Sequence, residues 1–128
     1  MKWLLDTHLL LWAAAEPQKL PMTAQKLLND PQYTLIFSAV SLWEVAIKSA
    51  LGRADFQVDA RLLRRGLLDN GYQELVMTSL HAVTITSLPA IHRDPFDRLL
   101  IAQSMAEGIT LLTVDPVVAQ YPGSIQQV

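Results

Sequence analysis

Cysteine is absent from the 128 residues, which excludes disulfides and thiolate metal sites and suits a reducing cytoplasm. A strong charge bias is missing too. Ten Lys and Arg against twelve Asp and Glu leave a formal net charge of −2, so a broad basic face for nucleic acid is excluded. Any such partner must be held by local Lys and Arg, by a metal ion or by a second subunit. No apolar run reaches membrane-spanning length. The N-terminal stretch has the outline of a secretory signal, but Asp6 and His8 interrupt it, and a carboxylate inside a membrane-inserting segment costs roughly 2.5 to 3.5 kcal/mol. Repeats, low-complexity tracts and linkers are also lacking. With 51% hydrophobic residues, the expectation is one globular domain over residues 1–128 with no membrane association.

What is present alternates between strand and helix patterns. Lys2 to Leu5 reads as a buried strand ending at Asp6, with Thr7 beside it and a helix following through Ala15. Thr23 to Leu28 reads as a second helix, stopped near Asn29-Asp30-Pro31, and Thr34 to Phe37 as a second strand. Ser41-Leu42-Trp43-Glu44 has the form of a capping box, which places Glu44 in the first turn of a helix running to Gly52. Asp55 to Gln57 is a connector. Ala60 to Leu68 is an amphipathic helix carrying Arg61, Arg64 and Arg65, broken at Asn70-Gly71. Leu75 to Met77 is predicted as a short strand, and Ser79 to Leu88 as a helix weakened by its β-branched run.

The segment from His92 to Asp115 is the most informative. Asp94 followed by Pro95 is a strong helix start, the acid capping free N–H groups and the proline fitting the first turn. Leu99, Leu100, Ala102, Met105 and Ala106 recur at helical spacing, so Asp97 falls in the first turn, and Gly108 closes the helix. Ile109 to Val114 is an apolar, β-rich run ending in Asp115. A short turn or helix through Val118 and an edge strand at Ile125 to Val128 complete the chain.

This alternation predicts a parallel sheet flanked by helices, an α/β fold in which strand C-termini and the following helix N-termini share one edge. Asp6, Glu44, Asp97 and Asp115, with Asp94 in addition, all fall on that edge. Singly each has an ordinary structural use: Glu44 and Asp94 as caps, Asp97 favouring the helix dipole, Asp6 and Asp115 as polar residues where strands surface. Together they conflict, since two carboxylates about 5 Å apart repel by roughly 3 kcal/mol at an effective dielectric near 20. Either a divalent cation neutralises them, or some hold protons through raised pKa values. Oxygen donors without cysteine indicate a hard ion, Mg²⁺ or Mn²⁺. Such an ion activates water for in-line attack on phosphorus, and the natural substrate is a phosphodiester.

DTHLLLW at Asp6 to Trp12, SLWEVAIK at Ser41 to Lys48, HRDPFDRLLIAQS at His92 to Ser104 and LLTVD at Leu111 to Asp115 resemble the PIN-domain ribonucleases, in particular the VapC-like toxins of bacterial type II toxin-antitoxin systems. The resemblance runs in chain order over nearly the whole sequence. It implies a three-layer α/β/α sandwich around a central parallel sheet of four to five strands. It also implies a Mg²⁺- or Mn²⁺-dependent endoribonuclease leaving 5′-phosphate and 3′-hydroxyl ends, a homodimer, and a separate antitoxin partner. It carries over Asp6, Glu44, Asp97 and Asp115 as an acidic quartet that holds the metal, with Thr113 in the family's Thr/Ser-x-Asp position. Asp97, heading the DRLLIAQ run, is favoured over Asp94, which has the better claim to be a cap.

Other polar residues have two uses each. Lys48, one turn beyond Glu44, reaches either a phosphate or that acid. Arg93 and Arg98 flank the acids and either grip an RNA backbone or form solvated salt bridges. Trp43 and Phe96 either stack bases or serve packing. His8, His81 and His92 show no paired spacing for metal-free acid-base cleavage and are assigned supporting or surface positions. Two rivals remain. A phosphoacceptor receiver domain needs an acceptor Asp ending a central strand and a Lys ending a later one, whereas Asp55 falls in a connector and no Lys follows Lys48. A catalytically silent binding module would keep the fold without hydrolysis.

Overall fold

The strands alternate their side chains between two cores, and that alternation builds the layers. In the computed structural model, which describes residues 1–128, five strands form one parallel sheet: β1 (Lys2–Leu5), β2 (Thr34–Ser38), β3 (Gln73–Leu75), β4 (Thr110–Thr113) and β5 (Ile125–Gln127). Their order across the sheet is β3-β2-β1-β4-β5, and every neighbouring pair is parallel. Leu5, Phe37 and Leu112 point into one core; their neighbours Leu4, Ile36 and Leu111 point into the other. The first core is closed by α1 (Thr7–Ala15), α2 (Met22–Leu28) and α4 (Ala60–Asp69), which bring Leu9, Leu10, Ala24, Leu63 and Leu67. The second is closed by α6 (Pro95–Glu107), through Leu99 to Ala102. The result is the expected α/β/α sandwich.

Of the remaining helices, α3 (Ala39–Ala50) packs against both α4 and α6, and α5 (Ser79–Thr84) packs against α6. No helix is long and apolar enough to cross a membrane.

Three local expectations are corrected. The helix after β2 begins at Ala39, so Ser41-Leu42-Trp43-Glu44 is not a capping box. Ser38, the last strand residue, is the cap, its hydroxyl accepting from the Val40 N–H at 3.0 Å. Glu44 therefore sits in the second turn of α3, while Asp97 sits in the first turn of α6. The third strand pairs Gln73, Glu74 and Leu75 with Ile36, Phe37 and Ser38, leaving Val76 and Met77 exposed beyond it. At a sheet edge the polar residues do the pairing, because one flank of the strand faces water. The helix expected to reach Leu88 stops as α5 at Thr84 and tightens into a 3-10 turn over Ile85–Ser87, where the β-branched run crowds the wider helix.

The two helices that carry acids are tied by a buried hydrogen bond. The Ser38 hydroxyl donates to Gln103 Oε1 at 2.5 Å, and both side chains are fully buried. The Gln103 amide lies 3.3 Å from His81 Nδ1 and 3.5 Å from the Val76 carbonyl. Gln103→Leu strands the Ser38 proton in an apolar layer, and an orphaned buried polar group costs about 1 to 3 kcal/mol. Urea unfolding should show a stability loss of about that size; a change under about 0.5 kcal/mol means the clasp contributes nothing.

Candidate functional site

β1 and β4 are neighbours, so the chain segments leaving their C-terminal ends meet in one crevice. Asp6 leaves β1 and caps α1, its Oδ1 accepting from the Leu9 N–H at 2.8 Å. Its Oδ2 accepts from the Thr113 hydroxyl at 2.6 Å and from the Val114 N–H at 3.3 Å. Thr113 in turn accepts from the Asp115 N–H at 3.0 Å. Burial pushes the Asp6 carboxyl above the usual carboxylate range, and the hydrogen bonds from Thr113 and Leu9 oppose that rise.

Glu44 approaches from α3 and is also buried. The Thr7 hydroxyl, with one proton to give, donates it to Glu44 Oε1 at 2.7 Å and lies 3.0 Å from the Ser41 hydroxyl. Lys48 Nζ lies 2.6 Å from Glu44 Oε2. Of the two uses open to Lys48, pairing with that acid is the one seen.

Asp94 and Asp97 arrive together on α6, with their roles separated. Asp94 Oδ1 accepts from the Phe96 and Asp97 N–H groups at 2.8 and 3.3 Å and is the helix cap. Asp97 faces the crevice. Burial, reinforced by the charges of Asp94 and Glu44, pushes its carboxyl up to about 7, with His92 pulling the other way and Asp6 adding to the rise. Asp115, one residue past Val114, is fixed by the Val117 N–H on its Oδ1 at 2.8 Å.

His92, given only a supporting or surface position from sequence, lies in the crevice itself. Its Nδ1 accepts from the Asp94 N–H at 3.2 Å, so its hydrogen is on Nε2. That atom lies 3.1 Å from Asp97 Oδ2 and 3.3 Å from Asp115 Oδ2. Donor atoms of His92, Asp97 and Asp115 all lie within 4.8 Å of one another, a grouping able to hold a metal ion. The available signal was its place at the head of HRDPFD, one turn of chain before the acids.

Arg98 does not line the crevice. Its guanidinium donates to the Pro89 carbonyl at 3.0 Å and to Tyr121 Oη at 3.1 Å, while Tyr121 Oη accepts from the His92 N–H at 2.6 Å. It braces the loop that presents His92. Arg93 is exposed. Trp43 and Phe96 pack edge to face, ring centroids 5.2 Å apart, outside the crevice. His81 is buried elsewhere, against Glu107 at 2.8 Å. Asp55 is exposed in the connector between α3 and α4 and pairs with Arg53 at 2.9 Å, not at the end of a strand where a phosphoacceptor would stand.

The crevice is a pocket of about 350 Å³. Asp6, Thr7, Glu44, His92, Asp94, Asp97 and Asp115 line it, and on its far side so do His8, Leu11, Lys48, Arg53, Asp55 and Phe56. The donor set suits a hard divalent cation. It offers carboxylate oxygens without a thiolate, and a double positive charge would offset both the burial of the Asp97 carboxylate and its repulsion by Asp94 and Glu44.

Residues 3–123 match the family model described as PIN domain. The chain is 30% identical over 113 residues to ribonuclease VapC22 of Mycobacterium tuberculosis, covering 88% of this chain and 85% of that one. Among solved structures it is similar to a chain of VapBC2 from Rickettsia felis bound to a DNA fragment from their promoter, with a TM-score of 0.72 at 14% identity over 99% of this chain and 98% of that one. It is also similar to a chain of VapBC-1 from nontypeable Haemophilus influenzae, with a TM-score of 0.62 at 16% identity and the same coverage. At these identities the two structures speak for the fold alone.

Proposed function

Because the chain belongs to the PIN-domain family, we propose that it is a Mg²⁺- or Mn²⁺-dependent endoribonuclease, the toxin of a type II toxin-antitoxin pair acting in the cytoplasm. The observation that carries this reading is the meeting of Asp6, Glu44, Asp97 and Asp115, from four separate segments, in one pocket. Asp6, Asp97 and Asp115 would hold the cation, with the His92 Nε2–H orienting Asp97 and Asp115 beside it. Glu44 would hold a second ion or position the attacking water. A hard cation bound there supplies positive charge that acidifies water and stabilises the departing oxygen of a phosphodiester.

The chain's own residues set up that chemistry. Thr113 fixes Asp6 in one rotamer through the 2.6 Å hydrogen bond, and Thr7 does the same for Glu44. Lys48 balances the Glu44 charge without entering the acidic centre. Arg98 and Tyr121 hold the loop that carries His92. An RNA backbone is the matching substrate for a pocket that joins these acids to Lys48 and Arg53. The similarity to ribonuclease VapC22 supports RNA as substrate, and an antitoxin partner goes with the toxin reading. A homodimer belongs to the same reading, since a net charge of −2 leaves one chain little basic surface for RNA.

The deciding assay is RNA cleavage by the purified chain with Mg²⁺, with Mn²⁺ and with excess EDTA. Chelation is expected to remove at least about 99% of the activity, and added Mn²⁺ to restore it. Equal cleavage in EDTA would falsify the metal mechanism.

A further inference from the structure

Beyond Asp6, Glu44, Asp94, Asp97 and Asp115, the rest of the pocket lining is mixed in chemistry, with two cations and two apolar side chains beside a single further acid, Asp55. One turn along α1 from Asp6, His8 and Leu11 face the space; one turn along α3 from Glu44, Lys48 does. The connector between α3 and α4 closes the far wall with Arg53, Asp55 and Phe56. Leu11 and Phe56 are the two hydrophobic residues in the lining. They have no use in holding a hard cation.

That wall is anchored. The Phe56 N–H donates to the Arg53 carbonyl at 3.2 Å, and the Ser49 hydroxyl on α3 donates to the Val58 carbonyl at 2.6 Å while accepting from the Val58 N–H. Phe56 and Val58 pack against the core on their inner sides. Arg53 and Asp55 pair with both side chains about two-thirds in water, 64% and 68% exposed. An exposed pair of this kind contributes less than about 1 kcal/mol and opens readily for a competing anion.

We propose that this half of the pocket seats one unpaired nucleotide flanking the phosphate to be cut, its base against Phe56 and Leu11 and its backbone phosphate at Lys48 and Arg53. The inference rests on the nuclease reading for what is cut, and adds where the neighbouring nucleotide lies. An apolar floor, two cationic side chains and a continuous path to the acids match a base, a phosphate and a scissile bond in that order. The whole pocket, acids included, is about 350 Å³, at the small end of ligand sites, which limits the seat to a single nucleotide. Single-stranded RNA offers a free base face for such a floor, whereas a duplex does not.

The test is binding, measured without cleavage. The ¹⁵N-labelled full-length chain in Mg²⁺ buffer is titrated with adenosine 5′-monophosphate and with ribose 5-phosphate, which lacks the base. The wild type should bind the nucleotide about tenfold more tightly, with amide shifts at Leu11, Arg53 and Phe56. In Phe56→Leu, which keeps the apolar packing, and in Phe56→Ala, the advantage should fall to about two-fold or less. Arg53→Gln should weaken both ligands alike. Equal affinity of the wild type for the two ligands overturns the proposal, as do shifts centred on Trp43 and Phe96. A wild type that binds the nucleotide as described but cuts no RNA in Mg²⁺ or Mn²⁺ sinks the nuclease reading and leaves the seat standing.

Discussion

Asp6→Asn is expected to reduce RNA cleavage by about three orders of magnitude while the protein stays folded. The residue is 5% exposed and both carboxylate oxygens are engaged, one by the helix it caps and one by Thr113. Asparagine keeps the shape and one carbonyl acceptor but turns an amide toward either Leu9 or the Thr113–Val114 pair, setting donor against donor. That mismatch costs about 1 to 3 kcal/mol. Removing a buried carboxylate that burial already disfavours offsets part of it. The melting temperature should therefore shift by only a few degrees, whereas a central negative ligand is lost. Initial rates in Mn²⁺, with circular dichroism melts on the same samples, distinguish the two effects. Retention of a tenth of wild-type activity by folded Asp6→Asn would remove Asp6 from the proposed centre.

Asp97 gives the second large effect, with a sign that reverses on adding metal. Its carboxyl is raised from 3.8 to about 7, chiefly by burial, then by Asp94 and Glu44. The folded protein thus holds a proton that the unfolded chain has released. This group's stabilising contribution is fully present below about pH 4 and is lost as pH rises through 7. Raising a carboxyl from 3.8 to about 7 corresponds in full to about 4 kcal/mol, but Asp97 keeps 21% of its side chain in water and faces His92, so screening reduces the effect to about 1 to 2 kcal/mol.

In EDTA at pH 8, Asp97→Asn should therefore be more stable than wild type by that amount, and at pH 4 the two should agree. In millimolar Mn²⁺ at pH 8 the order should invert, because a cation that binds only the folded state stabilises the chain with the intact carboxylate. Urea midpoints under these conditions measure it. A variant less stable than wild type in EDTA at pH 8 would show that Asp97 is not under electrostatic strain.

What was legible in the sequence was local. Strand faces followed from pairs such as Leu4-Leu5 and Leu111-Leu112, and the opening of α6 from Asp94-Pro95, because periodicity and capping act within a few residues. Acids at the ends of β1 and β4 followed from the same patterns. The local pattern puts the cap of α3 at Ser41, three residues late, since what fixes Ser38 is an acceptor on Gln103, 65 residues away. His92 could not be told from His8 and His81 for a similar reason: its partners are set by where α6 and β4 meet. Arg98 has the charge for a phosphate, but the Pro89 carbonyl and Tyr121 claim it. At β3, apolar Val76-Met77 drew the strand two residues late, because hydrophobicity marks buried strands and this one is at an edge.

The direct passage from β2 into α3 restricts how this chain tolerates change in length. Ser38 is both the last pairing residue and the first cap, with no intervening loop to absorb an insertion. One added residue there turns α3 by roughly 100° and swings Glu44 away from Thr7. Nine residues separate α3 from α4, and in that wider interval related chains have room to gain or lose residues. Diversity in length should gather on the wall bearing Phe56, while the joint bearing Ser38 holds its spacing to the residue.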